Sequence, residues 1–120
     1  MRVINVKSKL EKISNHFDPG IIAGLNGQHV KLVKFKGEFV WHSHKDEDEL
    51  FYVIAGSFFM DLRGKTLEIK EGEMIVIPKG TEHRPRADEE VHIMLFEPAG
   101  TVNTGDAESG LTKKNLKWLK

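Results

Sequence analysis

Between Gly27 and Phe96 the chain alternates short apolar runs with punctuation. The runs are rich in Val, Ile, Phe and Tyr, and each ends at Gly, Pro or charged residues. This pattern predicts strands over 29–35, 38–43, 49–55, 57–62, 66–69, 74–77, 82–86 and 91–96. Turns are expected at Gly37, Gly56-Ser57, Arg63-Gly64, Glu71-Gly72 and Pro78-Lys79-Gly80. Many short strands at close, even spacing predict an all-β sandwich or small barrel. The flanks read differently. "SKLEKISNHF" predicts a short N-terminal helix, with Ser8 and Glu11 at capping-box spacing and Leu10, Ile13 and Phe17 at helical intervals. The tail "LTKKNLKWLK" predicts a helical turn with Leu116 and Leu119 on one side.

In "ELFYVIAG" both alternating sets are apolar, Phe51 and Val53 on one face and Leu50, Tyr52 and Ile54 on the other. A strand covered on both faces needs a partner outside the barrel, either a terminal segment or a second subunit. A homodimer is the expected assembly.

Composition narrows the classes. The 120 residues suit one domain, with 39% apolar and 30% charged residues. Basic and acidic residues are balanced at 18 each, which argues against a nucleic-acid partner or an anionic membrane surface. There is no cysteine, so disulfides and thiolate metal sites are excluded. The N-terminus "MRVINVKSKL" has no signal-peptide apolar core and no apolar run approaches a membrane span, so a soluble, cytoplasmic protein is expected.

The candidate chemistry lies in "WHSHKDEDELFYVIAG". Residues two apart in a strand share a face, so His42 and His44 project together while Trp41 and Ser43 point away. Two imidazoles on one face begin a divalent metal site, for which a carboxylate is a common further ligand. Of Asp46, Glu47, Asp48 and Glu49, only Glu49 opens the next strand in the parity of Phe51 and Val53. The other three are expected in a solvated turn. A further histidine, His83, follows the strand "MIVI" through the Pro78-Lys79-Gly80 turn and can close the ligand set.

These segments resemble the two cupin motifs. His42-Ser43-His44 is followed by four residues, Glu49, six residues and Gly56. Gly72 is followed by five residues, Pro78-Lys79-Gly80, two residues and His83. Fifteen residues separate Gly56 from Gly72, near the shortest spacer of the family. Two positions depart from the pattern: Gly37 stands four residues before His42 rather than five, and Ala87 occupies the final Asn position. The resemblance implies a jelly-roll β-barrel over roughly residues 20–98 of a single domain. It also implies that His42, His44, Glu49 and His83 bind one divalent transition metal, whether Mn, Fe, Co, Ni, Cu or Zn. Within the family, "EPAGTVNTG" and the two motif segments look like the small single-domain type labelled mannose-6-phosphate isomerase-like, a label that reflects barrel similarity. The fold by itself does not specify a reaction.

Beyond the ligands, His92 shares a face with Met94 and Phe96 and is a candidate to look into the barrel. Arg84 and Arg86 alternate after His83 and are candidates to place a cation at the pocket mouth; the plainer reading is surface arginine. Phe51, Val53, Met60 and Met74 are candidates to line a cavity or to serve as ordinary core. His16 and His29 are expected to be surface or packing residues. The leading reading is a metal-dependent protein acting on a small-molecule ligand, with the metal as Lewis acid or dioxygen-binding centre. The alternatives are a non-catalytic metal-bearing sensor and a metal-free isomerase or epimerase.

Overall fold

In the computed structural model, which describes all 120 residues, one short helix precedes seven antiparallel strands. The helix α1 spans Val6–Leu10. The strands are β1 Gly20–Leu25, β2 Gln28–Glu38, β3 Glu49–Ala55, β4 Ser57–Leu62, β5 Lys65–Lys70, β6 Met74–Ile77 and β7 His83–Pro98. The sheet order is β1-β2-β7-β3-β6, and β4 joins β7 to β5. β7 organises the whole. Its first part, His83–Arg86, pairs with β4, and its second part, from Val91 on, lies between β2 and β3. The fold is all-β, as the pattern predicted, and a jelly roll, as the motif resemblance implied.

Odd-numbered residues of β2, β3 and β7 point inward. Val33, Phe35, Phe51, Val53, Ile93 and Leu95 are buried and join Phe58 and Met60 in the main core. Each such side chain stabilises the fold by about 1.5–3 kcal/mol on burial. A smaller cluster, Leu10, Ile13, Ile22 and Leu32, packs the N-terminal segment onto the outside of β1 and β2.

Several expectations are corrected. β1 was not predicted, yet Asn26 and Gly27, at φ 50° and 75°, form the tight turn that joins it to β2. Gly37 is not a turn but a break in register within β2, at φ 88°. Beyond Glu38 the chain keeps one isolated bridge, His42 to His83, instead of the predicted strand over 38–43. The predicted strands 82–86 and 91–96 are one strand. Asp88, Glu89 and Glu90 bulge from it, opposite Lys36 alone on β2. The helix begins earlier and is shorter than expected, because the Asn5 side chain caps it by accepting from Ser8 N–H at 2.9 Å. The C-terminal helical turn does not form. Residues 117–119 instead run extended beside β1, with Ile21 N–H donating to Lys117 and Leu119 N–H to Ile21.

One outer face stays apolar. Tyr52, Met74 and Val76 are exposed on β3 and β6, and Leu50, Met94 and Phe96 continue the patch across paired positions.

Candidate metal centre

His42 and His44 are carried by the irregular segment between β2 and β3, Glu49 opens β3, and His83 opens β7. Two turns dock against each other to set this arrangement. Gly80 N–H donates to the His44 carbonyl at 2.7 Å, and Lys79 N–H donates to the Asp48 carboxylate at 2.8 Å. Backbone bonds in both directions, 2.9 and 3.0 Å, tie His42 to His83.

The four side chains are all buried, and one candidate ligand atom from each lies within 4.8 Å of the others. Glu49 Oε1 stands 2.9 Å from His44 Nε2 and 3.3 Å from His83 Nε2. Ligand atoms about 2.1 Å from one ion at right angles lie about 3 Å apart, so these separations fit a shared cation. His44 Nε2, His83 Nε2 and Glu49 Oε1 are also buried without a hydrogen-bond partner. Buried polar atoms are almost always paired, and three that converge without partners suit a cation. His42 Nδ1 donates to the Val40 carbonyl and His83 Nδ1 to the Thr81 carbonyl, each at 2.9 Å. Those bonds fix the tautomer that leaves Nε2 free for a metal. Burial, then the neighbouring His83, hold His42 down to about 4, so it stays neutral near pH 7. Burial opposes the charge on Glu49, but the Glu97, His44 and His83 side chains beside it hold its carboxyl well below the usual range.

Beside the cluster is a cavity of about 30 Å3, well below the usual size of a small-molecule site. Phe17, Phe35, Phe39, Phe51 and Leu95 line it, with His42, Glu49, Glu97 and Asn103 as polar wall groups. Phe17 stacks on Phe35 and Phe39, with ring centroids 4.9 and 5.0 Å apart. It holds φ 56°, unusual for a residue of its size.

Phe51 therefore lines the cavity, whereas the other candidates are placed elsewhere. His92 and Met94 have even parity on β7 and face outward, where His92 bonds Glu90 at 2.8 Å. Arg84 and Arg86 also point outward and grip Asp61, holding its carboxyl down at about 2. Met74 is exposed, and Val53 and Met60 are core. Phe35, Phe39, Leu95, Glu97 and Asn103 were not singled out from sequence, and Phe17, expected on the N-terminal helix, lies beyond its end and on the cavity wall instead. Glu97 carried a readable signal, an acid at the parity of Val91, Ile93 and Leu95. Lys31 carried the same signal beside Val33 and Phe35. Its Nζ donates to Glu97 Oε1 at 2.7 Å, and both residues are buried.

A strap closes this end of the barrel. Ser43 N–H and Oγ donate to the Asp106 carboxylate at 2.9 and 3.3 Å, and Asp106 N–H donates back to the Ser43 carbonyl at 3.0 Å. A Cβ on Gly105 would collide with that same carbonyl.

Residues 29–97 match the family described as cupin domain. A cupin-2 domain containing protein from Shewanella frigidimarina superposes with a TM-score of 0.79 at 47% identity, over 80% of this chain and 94% of that one. The uncharacterized protein YdbB of Bacillus subtilis is 43% identical over 67 residues, 55% of this chain and 59% of its own. Acireductone dioxygenase 4 of Arabidopsis thaliana is 35% identical over 97 residues, 72% of this chain and 51% of its own. The chain thus spans about half the length of the curated relatives it matches. With the family matched over more than half of its residues and its jelly-roll sheet shared with a solved cupin-2 structure, the chain belongs to the cupin family.

Proposed function

We propose that His42, His44, Glu49 and His83 hold one divalent transition metal, and that the centre acts on a small molecule admitted to the adjoining cavity. The observation that carries this reading is the convergence of His44 Nε2, His83 Nε2 and Glu49 Oε1, buried together with no hydrogen-bond partner. Orphaned buried groups cost stability unless something binds them. When bound, a metal in this donor set supplies Lewis acidity or a dioxygen-binding position.

The protein's own residues do the remaining work. The Val40 and Thr81 carbonyls orient two of the imidazoles. The wall of Phe17, Phe35, Phe39 and Phe51 takes the apolar body of the ligand and keeps water out. The likeness to acireductone dioxygenases supports dioxygen chemistry as the reaction class to assay first. The test is a thermal-shift screen of metabolites against protein loaded separately with iron(II), nickel(II) or manganese(II), followed by oxygen-uptake and product assays on each hit. Turnover of a stabilising ligand is the expected result. Tight binding without turnover in any metal form would replace this reading with a sensor role.

Two copies of the chain, cytoplasmic as expected from the sequence, are proposed to pair through the apolar outer face of β3, β6 and β7. Tyr52, Met74 and Val76 are its exposed members, and a large contiguous apolar patch is characteristic of an association surface.

A further inference from the structure

At about 30 Å3 the cavity beside the cluster has room for about two waters, so a small molecule enters only if part of its wall moves. Phe35 lies on β2 and Phe51 on β3, and Phe39 N–H is tied to the Pro85 carbonyl at 2.9 Å. Phe17 differs from them. It comes from the irregular segment between α1 and β1, where Ser14, Asn15 and His16 are exposed. That segment is fixed at its ends, by Ile13 in the outer cluster and by Gly20 against Leu119. Between those ends, Phe17 N–H donates to the Lys34 carbonyl at 2.8 Å, and exposed His16 donates to the Glu90 carboxylate at 2.9 Å. Phe17 itself holds φ 56°, a conformation that strains the backbone of a bulky residue. Its ring lies nearly parallel to those of Phe35 and Phe39, at 23° and 22°. Phe39 in turn meets the His42 ring edge-on, with centroids 5.4 Å apart. The place that Phe17 fills is thus already shaped for a flat ring, and only Phe39 separates it from the cluster.

We propose that residues 14–19 form a lid and that the Phe17 ring is a plug, occupying the subsite for a flat aromatic ring of the ligand. The proposal rests on the metal-centre reading and adds to it a ligand class and a route of entry. A molecule with an aromatic ring at one end and a metal-binding group at the other displaces Phe17. Its ring stacks on Phe35 and Phe39, and its polar end reaches the cluster past His42. Relief of the strained backbone at Phe17 offsets part of the cost of opening, and the exposed His16–Glu90 pair sets a low barrier to it. A saturated ring of the same size is thicker and has no π-face, so it fits the subsite less well.

The probes are azide, benzohydroxamate and cyclohexanecarbohydroxamate, titrated into cobalt(II)-loaded protein and read from the visible spectrum. Azide is small and reports the metal alone; the two hydroxamates share a chelating group and differ only in the ring. Wild type is expected to bind benzohydroxamate about fivefold more tightly than its cyclohexyl counterpart. Hydrogen exchange of residues 14–19 should speed up about tenfold in the benzohydroxamate complex and stay unchanged with azide. Phe17→Gly, which removes the plug and suits φ 56°, should bind benzohydroxamate about tenfold more tightly. His16→Ala, which loosens the lid outside the cavity, should gain about threefold, with azide affinity unaltered in both variants. Unchanged exchange in the wild-type benzohydroxamate complex would overturn the proposal, and that measurement decides even if Phe17→Gly fails to fold. Weaker benzohydroxamate binding by folded Phe17→Gly, equal affinities for the two hydroxamates, or azide binding without hydroxamate binding would also overturn it. Failure of the wild type to retain cobalt or bind azide would instead overturn the metal reading beneath it.

Discussion

His42 and His83 are each held by the carbonyl two residues upstream, Val40 and Thr81, and this local bond decides which nitrogen faces the cluster. Burial then keeps His42 neutral, which has a consequence for the metal-free protein. Its folded pKa of about 4 lies below the unfolded value of 6.5, so the unfolded state binds more protons between those limits. The stabilisation is complete above pH 6.5 and is lost as the pH falls towards 4, by about 3 kcal/mol at most. Denaturant unfolding of the metal-free protein at pH 7, 5.5 and 4.5 should show this loss, and His42→Gln should show less of it. An equal loss in the variant would remove His42 as the cause. All four cluster residues were legible in the sequence through the two motif segments, although His83 lies 34 residues beyond Glu49 and His42 and His44 sit outside any strand. Glu97 and Lys31 were harder to see, because a single charge in an apolar alternation gains meaning only when β2 and β7 are known to be neighbours.

Among the elements, the strap of residues 103–106 links the C-terminal region to the segment that carries His42 and His44. Asp106 bonds both the N–H and the carbonyl of Ser43, and Gly105 passes so close that no side chain fits between them. Gly105→Ala should displace the strap and weaken metal binding about tenfold by calorimetric titration, while Gly110→Ala, whose Cβ meets nothing within 4 Å, should bind as wild type. Equal affinities in the two variants would show that the strap does not position the centre. The strap carries no periodicity, and its role comes from contacts far along the chain, so the sequence did not reveal it. β1 is a different case. Its Asn-Gly turn was a readable hairpin signal, and the two glycines of "GIIAGL" masked the strand behind it. The acids 88–90 misled in the opposite sense, since charged residues in a bulge look like the end of a strand.

For the whole molecule, the jelly roll buries one face of β3 on the core and leaves the other face apolar and partly exposed. The double apolar parity of "ELFYVIAG" announced this need for a cover; the N-terminal cluster packs against Ile54 and Met94, whereas the C-terminal segment lies along β1 and leaves Tyr52 exposed. Sedimentation equilibrium should give a dimer for the wild type and a monomer for Met74→Glu/Val76→Lys, which places charges on the exposed patch. A wild-type monomer at micromolar concentration would contradict the proposed pairing. The central claim, however, is that the barrel is built around one metal held by four residues, and elemental analysis after metal loading and gel filtration tests it most directly. One metal per chain is predicted for wild type and for the outlying variants His16→Ala and His92→Ala, with little or none retained by Glu49→Gln or His83→Ala that remain folded by circular dichroism. Full metal content in Glu49→Gln and His83→Ala, or none in the wild type, would contradict the account.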